Sequence, residues 1–226
     1  MNARQEKLFK NIIIEHLLSA KAVGSKFLVD KYSMDVSPAT IRNDMAELER
    51  QGLISRPHTS AGRVPTQKGY EYYVRNYLQA KAVASRDKEL LDMLSHEIRT
   101  KEPEIVVKNI AKKIAELSNS AAIVAFSKND LFYTGLANLF SQPEFSNFDV
   151  VCNISDVIDH LDDVIGSIFD DIEDTQIKIG QNNCFSDKCS SIITRSGDKL
   201  FGIFGPMRMD YEKNLALVNY ARGLIA

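Results

Sequence analysis

The sequence has few cysteines, little glycine and proline, and no long hydrophobic run. Its three cysteines, Cys152, Cys184 and Cys189, are odd in number and sparse for 226 residues, which argues against a disulfide scaffold. With 44% hydrophobic and 26% charged residues, the composition excludes a collagen-like, low-complexity or wholly disordered chain. No stretch approaches the roughly 18 apolar residues of a membrane helix, and the first residues lack the apolar core of a signal peptide. We therefore expect a folded cytoplasmic protein without a membrane partner.

The net charge of −2 conceals an uneven distribution along the chain. Residues 1–80 hold 12 Lys and Arg against 8 Asp and Glu, whereas residues 81–226 hold 16 against 22. This asymmetry predicts that only the first part contacts a polyanion. The most acidic run, residues 149–174, has nine acidic residues and no Lys or Arg, but it lacks the spacing of a calcium loop. We interpret it as a solvated helix face that repels DNA.

The first 78 residues predict three helices, a β-hairpin and a fourth helix. In the second helix, Phe27 and Leu28 are expected to face inward. Ser37 is a preferred N-cap and Gly52 a preferred C′ residue, which together bound the third helix. This order of elements is that of a winged helix-turn-helix. The predicted helices are 4–18, 24–32, 38–51 and 67–78, and the predicted strands are 53–56 and 63–65.

The remaining residues predict a second domain of mixed structure. Residues 79–118 are predicted to be helical, so that the two domains are joined through helix, and Pro103 opens the second of two helical segments. Antiparallel hairpins and helices after residue 118 indicate an α+β domain. Asp210 is the predicted N-cap of the final helix. The predicted strands are 121–126, 131–133, 177–179, 190–194 and 200–204, with one or two helices over 153–174.

The third helix has one apolar and one polar face. At 100° per residue, Ile41, Met45 and Leu48 share the face that must pack on the first two helices. On the other side, Asn43 can pair bidentately with adenine, and Arg42 can reach guanine or phosphate. Two alanines there allow close approach to the major groove, and the helix N-terminus can hold a phosphate. The predicted DNA-binding residues of this helix are Ser37, Ala39, Thr40, Arg42, Asn43 and Arg50.

The hairpin that follows adds a second group of candidate residues. Its tight turn contains no acidic residue, so it can straddle a phosphate backbone and place Arg63 in the minor groove. On the helix alone a solvated surface would be the better interpretation, because Glu47 and Glu49 also lie toward solvent. Helix and wing together favour DNA binding. The predicted DNA-binding residues of the wing are Arg56, His58, Thr59, Ser60 and Arg63.

Several longer runs of this sequence resemble the bacterial heat-shock repressor family HrcA. The match spans nearly the whole chain, and the wing and the Gly-Pro-x-Arg-Met-Asp-Tyr run are quite specific. In the first domain the runs are Ser37–Glu49, Gln51–Ile54, Pro57–Thr66 and Lys68–Tyr70. In the second they are Gly135–Leu139, Gln142–Phe145, Ile179–Gly180 and Gly205–Tyr211.

The resemblance implies a repressor of chaperone operons that binds an inverted repeat called CIRCE and depends on the GroE chaperonin. It also implies a winged helix, a GAF-like domain and an inserted dimerising domain. Here only a four-residue turn, 127–130, stands where an insertion is expected. We therefore expect an α+β protein, with an N-terminal winged helix-turn-helix joined through helix to a reduced GAF-like domain. The expected boundaries are 1–78 for the first domain, 79–118 for the helical linker and 119–226 for the second domain.

An inverted repeat requires two-fold symmetry in the protein, so we expect a homodimer. Without the insertion, another apolar surface must form the contact. The candidates are the helix with Ile105, Val106 and Ile110 and the final helix with Leu215, Val218 and Leu224.

Other motifs indicate no enzyme, metal site or cofactor. Gly-x-Gly-x-x-Gly, P-loop, Gly-x-Ser-x-Gly and His-Glu-x-x-His patterns are all absent. Cys184 and Cys189 lack the spacing of a zinc knuckle. We interpret the run 205–211 as structural, with Arg208 as the charge partner of Asp210. The alternative that stays open is a winged-helix regulator that responds to a small molecule held in the GAF-like domain.

Overall fold

The computed structural model describes residues 1–58, 61–79, 81–97, 101–146 and 148–225. The chain divides into two compact units, Met1–Leu78 and Gln79–Ala226. Within the described residues, no helix has the length and apolar character needed to cross a bilayer.

The first unit has the predicted order of a winged helix-turn-helix. Strands β1 and β2 pair antiparallel, with Ile54 opposite Pro65. A further antiparallel bridge joins Val23, in the loop before the second helix, to Arg63. The elements are α1 (Ala3–Ser19), α2 (Ser25–Tyr32), α3 (Pro38–Arg50), β1 (Ile54–Ser55), β2 (Val64–Pro65) and α4 (Gln67–Tyr77).

Local signals set the ends of α3 where the sequence predicted them. Ser37 accepts a hydrogen bond from the Thr40 amide at 3.2 Å, and Pro38 occupies the first turn. Gly52 has a left-handed φ of 74°, and the following amide donates to the Leu48 carbonyl at 3.0 Å. This is a Schellman ending, which glycine forms without steric cost.

The core of the first unit confirms the predicted buried face of α3. Ile41, Met45 and Leu48 are buried, and the residues of α1 that are buried with them in this unit include Phe9 and Ile12. The prediction for Phe27 is wrong, because its side chain is 47% exposed while Leu28 is buried. Neighbouring helical residues lie about 100° apart, so in this short helix only one of the two faces the core.

The second unit confirms the predicted α+β class. Its five strands form one antiparallel sheet in the order β4-β3-β7-β6-β5. The helices are α5 (Ser85–His96), α6 (Pro103–Ser118), α7 (Leu136–Phe140), α8 (Phe148–Asp159), α9 (Leu161–Ile168) and α10 (Tyr211–Leu224). The strands are β3 (Ala121–Ser127), β4 (Asp130–Thr134), β5 (Gln176–Ile179), β6 (Cys189–Ser196) and β7 (Lys199–Pro206).

Helices cover both faces of this sheet. Helices α6 and α10 pack on one face. On the other face, Ile123 and Phe204 belong to an apolar cluster with residues of α7, α8 and α9, such as Leu139 and Ile165. Burial on both faces explains why the sequence of β3 is continuously apolar rather than alternating. Because β3 and β4 are joined by a tight turn at Lys128 and Asn129, no inserted domain lies between these two strands.

Two predictions for the start of the second unit are corrected. Helix begins at Ser85, not at residue 79, and residues 81–84 carry no helix. Three of those four residues are exposed, so a helix there would lack the packing that stabilises most protein helices. Of the three α6 residues expected to form a dimer contact, only Ile105 is exposed, at 45%, whereas Val106 and Ile110 are buried.

The cysteines of the second unit differ in their expected reactivity. Burial raises the pKa of the Cys184 thiol to about 11 and that of Cys189 to about 12, so both stay protonated at pH 8. Cys152 is half-buried on α8. We expect a thiol reagent such as Ellman's reagent to label Cys152 first, and the other two only on unfolding. Cys152→Ser should remove the fast phase, and a fast phase that persists in this variant would contradict the expected order.

Candidate DNA-binding interface

The outer face of α3 presents the residues that the sequence assigned to base contacts. Ala39, Arg42, Asn43 and Ala46 are exposed, whereas the opposite side of the helix is buried. Neither Arg42 nor Asn43 makes a side-chain hydrogen bond or ion pair with another described residue. Their polar groups are therefore available to a ligand without first breaking an internal contact.

An ion pair between an exposed arginine and a buried aspartate fixes α3 on α1. The Arg4 guanidinium binds both oxygens of Asp44, with Nε 2.6 Å from Oδ2 and Nη2 3.1 Å from Oδ1. Asp44, on α3, is buried, and the planar guanidinium group of Arg4 can bind both of its carboxylate oxygens at once. The pair therefore orients the helix and neutralises an acidic residue close to the exposed face.

A second buried carboxylate joins α1 to α2. Glu15 accepts hydrogen bonds from the Tyr32 hydroxyl and the Lys31 ammonium, each at 2.6 Å. Burial alone would raise the pKa of Glu15, but its hydrogen bonds to Lys31 and Tyr32 hold that pKa below the ordinary value. Burial and the Glu15 contact raise the pKa of Tyr32 to about 12. The first two helices are thus held together by a charged group that stays ionised at neutral pH.

The start of α3 carries two hydroxyl groups beside the Ala39 amide, since Pro38 has no N–H group and the Thr40 amide already donates to Ser37. Ser37 is exposed and Thr40 half-buried, and their Oγ atoms lie 3.1 Å apart. The positive end of the helix dipole favours an anion such as a phosphate at this position. Both predicted residues therefore lie where a DNA backbone contact is chemically reasonable.

The two acidic residues that argued against DNA binding are both neutralised. Glu47 pairs with Arg50 and also accepts a hydrogen bond from the Gln51 amide group at 2.9 Å. Glu49 pairs with Arg63 of the hairpin. Arg50 is exposed as predicted, but its charge is shared with Glu47. The negative potential on this side of α3 is therefore weaker than that of two unpaired carboxylates.

The wing places some of its predicted residues at the surface. Arg56 and His58 are exposed. Thr59 and Ser60, the predicted tip, lie outside the described residues. The base of the wing is held close to the loop before α2, because the bridge between Val23 and Arg63 has hydrogen bonds of 2.8 and 2.9 Å.

The structure corrects the prediction for Arg63. Its side chain is only 7% exposed, and Nε and Nη2 lie 3.1 and 2.9 Å from one oxygen of Glu49. Arg63 stands at the base of the hairpin, not at its tip, so its side chain lies against α3 rather than reaching a minor groove. No local pattern signals this contact, because the two residues belong to different elements.

The Gly205–Tyr211 run of the second unit is a structural junction. Arg208 binds Glu144, at 2.5 and 3.1 Å, and the Gln142 side chain at 3.0 Å, so its predicted pairing with Asp210 is wrong. Asp210 caps α10 as predicted, accepting from the Lys213 amide at 3.0 Å. Two runs quoted for the family resemblance, 142–145 and 205–211, are therefore joined by one guanidinium group.

The interior of the second unit offers little space between sheet and helix. An apolar cavity lined by residues including Ile123, Ile165 and Phe185 measures about 10 Å³. Phe185 stacks on Phe204 with ring centroids 4.8 Å apart. This volume is near that of a single water site, so it does not admit an organic effector. Among the described residues, no group of three or more His, Cys, Asp or Glu side chains could hold a metal ion.

Two family models match the chain and together cover most of it. The model described as "HrcA protein C terminal domain" matches residues 67–215. The one described as "DeoR-like helix-turn-helix domain" matches residues 10–67, which includes α2 and α3.

Curated relatives carry the name "Heat-inducible transcription repressor HrcA". The protein of Pelotomaculum thermopropionicum is 39% identical over 124 residues, which is 55% of this chain and 35% of that protein. The protein of Chlorobium limicola is 34% identical over 155 residues, which is 67% of this chain and 40% of that protein. The matched part of this chain thus spans well under half the length of these relatives.

A solved structure shares the fold. It is titled "Crystal structure of a hypothetical protein at 2.2 A resolution", and the similarity has a TM-score of 0.74 at 18% sequence identity. The similarity covers 100% of this chain and 97% of that chain. At this identity, the likeness concerns the fold alone.

Proposed function

Because the chain belongs to the HrcA family, we propose that it is a sequence-specific DNA-binding repressor of heat-shock operons. The observation that carries the proposal is the exposed face of α3, where the side chains of Arg42 and Asn43 have no partner among the described residues. Their helix belongs to a winged helix-turn-helix, a fold in which this element enters the major groove.

Base recognition is assigned to the middle of α3. Asn43 presents an amide that can pair with adenine, and Arg42 a guanidinium that can pair with guanine or a phosphate. The small side chains of Ala39 and Ala46 let the helix approach the base edges, and Ala39 can contact a thymine methyl group.

Backbone contacts are assigned to the ends of the interface. At the start of α3, the hydroxyl groups of Ser37 and Thr40 lie together at the positive end of the helix dipole, which suits a phosphate. In the wing, Arg56 and His58 are exposed, and Thr59 and Ser60 complete the predicted tip. Arg50, which is exposed and paired with Glu47, supplies a further guanidinium group at the other end of the helix. These contacts would position the protein, whereas Arg42 and Asn43 would specify the sequence.

The operator is proposed to be an inverted repeat of the CIRCE type, bound by a homodimer. One winged helix of this size buries a modest surface, and tethering two raises the effective concentration of the second. Part of the predicted dimer surface is unsuitable, because Val106, Ile110 and Val218 are buried within their own unit. Exposed apolar side chains remain at Met93, which is 70% exposed, and at Ile105. We assign the contact to this part of α5 and α6, which pack on each other.

Sedimentation with three duplexes tests the function and the dimer together. The whole inverted repeat should bind two chains tightly, a single half-site should bind weakly, and a scrambled duplex should bind only at low salt. Equal affinity for all three duplexes would contradict sequence-specific binding. A single chain on the full repeat would contradict the dimer while leaving DNA binding intact.

Ile105→Glu is expected to weaken binding to the full repeat and to leave half-site binding unchanged. The exposed side chain can accept a charge without unfolding the unit, whereas a charged residue at buried Val106 would disrupt the core. Lys112→Gln, which changes the charge by the same amount on the same helix, should behave like wild type. Equal binding by Ile105→Glu and wild type would remove α6 from the interface.

Control by the GroE chaperonin is proposed from family membership alone. A reduced second unit has a smaller core and a narrower margin of stability. We expect operator binding to fall on mild warming and to return when chaperonin is added, as measured by the fraction of duplex bound. Full activity across that range without chaperonin would contradict this part of the proposal. A small-molecule regulator is the less favoured function, because the apolar cavity between sheet and helices holds only about 10 Å³, while the pockets of about 210 and 410 Å³ in this unit are open to solvent.

A further inference from the structure

We infer that Arg63 is a positioning residue, which fixes the wing against the recognition helix and neutralises Glu49 instead of contacting DNA. The inference rests on the proposed DNA-binding function. It concerns how the wing and α3, the recognition helix, keep a fixed position relative to each other. Its basis is the placement of one buried guanidinium at the meeting point of three segments of the first unit.

The side-chain contact joins the wing to α3. Both Nε and Nη2 of Arg63 lie within 3.1 Å of Glu49 Oε2. Arg63 is nearly inaccessible, with 7% of its side chain exposed, while Glu49 retains 35%. A guanidinium buried to this extent cannot reach a phosphate or a base edge without leaving its pocket.

The backbone of Arg63 makes a second contact, to the loop between α1 and α2. Its amide donates to the Val23 carbonyl at 2.9 Å, and its carbonyl accepts from the Val23 amide at 2.8 Å. Gly62 allows this close approach, because a Cβ atom there would lie 2.8 Å from the Gly24 nitrogen and still closer to the Val23 carbonyl. Arg63 therefore joins the α1–α2 loop, the wing and the recognition helix.

Fixing these three segments has a consequence for DNA affinity. A wing that is already in place need not be ordered when DNA binds, so less conformational entropy is lost on association. The ion pair also removes the negative charge of Glu49 from the side of α3, where it would repel phosphates. Loss of Arg63 would remove both effects and leave a half-buried carboxylate without its partner.

A double-mutant cycle separates positioning from direct contact. Arg63→Gln should weaken binding to the inverted repeat by about tenfold or more, and Glu49→Gln by less than about threefold. The variant carrying both changes should recover to within about threefold of wild type, because two amides can hydrogen bond and no charge is left unpaired. Its affinity should show the wild-type dependence on salt, since no phosphate contact has been lost.

Arg42→Gln is the matched control, because Arg42 is exposed and has no described partner. Its loss should not be rescued by Glu49→Gln, and the slope of log affinity against log salt should fall by about one unit if it binds a phosphate. A double Arg63/Glu49 variant that behaves like Arg42→Gln, weak and with a reduced slope, would overturn the positioning role. Wild-type protein that shows no preference for the inverted repeat would instead refute the proposed function.

Hydrogen exchange without DNA provides a test that does not depend on operator binding. The amides of residues 61–64 and 66 should exchange faster in Arg63→Gln than in wild type or Arg42→Gln, because the wing has lost its contact with α3. If Arg63→Gln does not fold, the double variant decides the question by its affinity and salt slope. Unchanged exchange in a folded Arg63→Gln protein would show that the ion pair does not hold the wing.

Discussion

Asn43→Ala should weaken binding to the inverted repeat by about 1–3 kcal/mol, or roughly 5- to 150-fold, with little effect on random duplex. The change removes an exposed amide that contacts no other residue in the described part of the chain, so the folded protein should keep its stability. Base contacts distinguish one sequence from another, whereas phosphate contacts act equally on all. The measurement is a titration of both duplexes by fluorescence anisotropy at one salt concentration.

Asn153→Ala is a suitable control, because Asn153 is an exposed asparagine on α8 of the second unit. Its affinity for either duplex should match that of wild type. If Asn43→Ala lost the same factor on the operator and on random DNA, Asn43 would be a backbone contact. Base reading would then have to come from other residues of α3.

Gly62→Ser should lower operator affinity at least about tenfold and should lower the melting temperature. A side chain at this position would overlap the Val23 carbonyl, so the bridge between Val23 and Arg63 must open. Overpacking of a tight contact typically costs about 1–3 kcal/mol. The displaced wing would also lose its fixed relation to α3. Thermal unfolding and operator titration of the same sample measure the two effects.

Gly24→Ser provides the matched substitution in the loop on the other side of the bridge. A Cβ atom at Gly24 meets nothing within 4 Å, and serine is a preferred residue at this N-cap position. This variant should bind and unfold like wild type. Wild-type behaviour of Gly62→Ser would show that the wing tolerates displacement, and the wing would then contribute little to DNA binding.

The first unit shows how much of the candidate interface a sequence contains. The boundaries of α3 follow from Ser37 and Gly52, whose effects on helix ends act over only a few residues. Its buried and exposed faces follow from the helical period, which placed Ile41 inside and Asn43 outside. Short-range signals of this kind need no knowledge of the rest of the fold.

The predictions that were wrong concern tertiary contacts, because each depends on which distant segments of the chain lie close together in the fold. Arg63 was assigned to DNA, and only the folded hairpin brings it to Glu49, 14 residues away in sequence. Arg208 was paired with nearby Asp210, yet its partner is Glu144, 64 residues away. The charge of an arginine predicts that it will pair with an acidic residue, but it does not indicate which acidic residue will be nearest in the folded protein.

The sequence by itself determined the order of elements, the recognition helix with its two faces, and the α+β class of the second unit, because caps, turns and hydrophobic periods are local. The tertiary structure decided which side chains are available for binding. Arg63 lies in an ion pair, Phe27 and Ile105 are exposed, and Arg42 and Asn43 have no partner within the ranges that the structure describes. Availability depends on the burial and the partners that distant segments provide, and these arise only when the chain is folded.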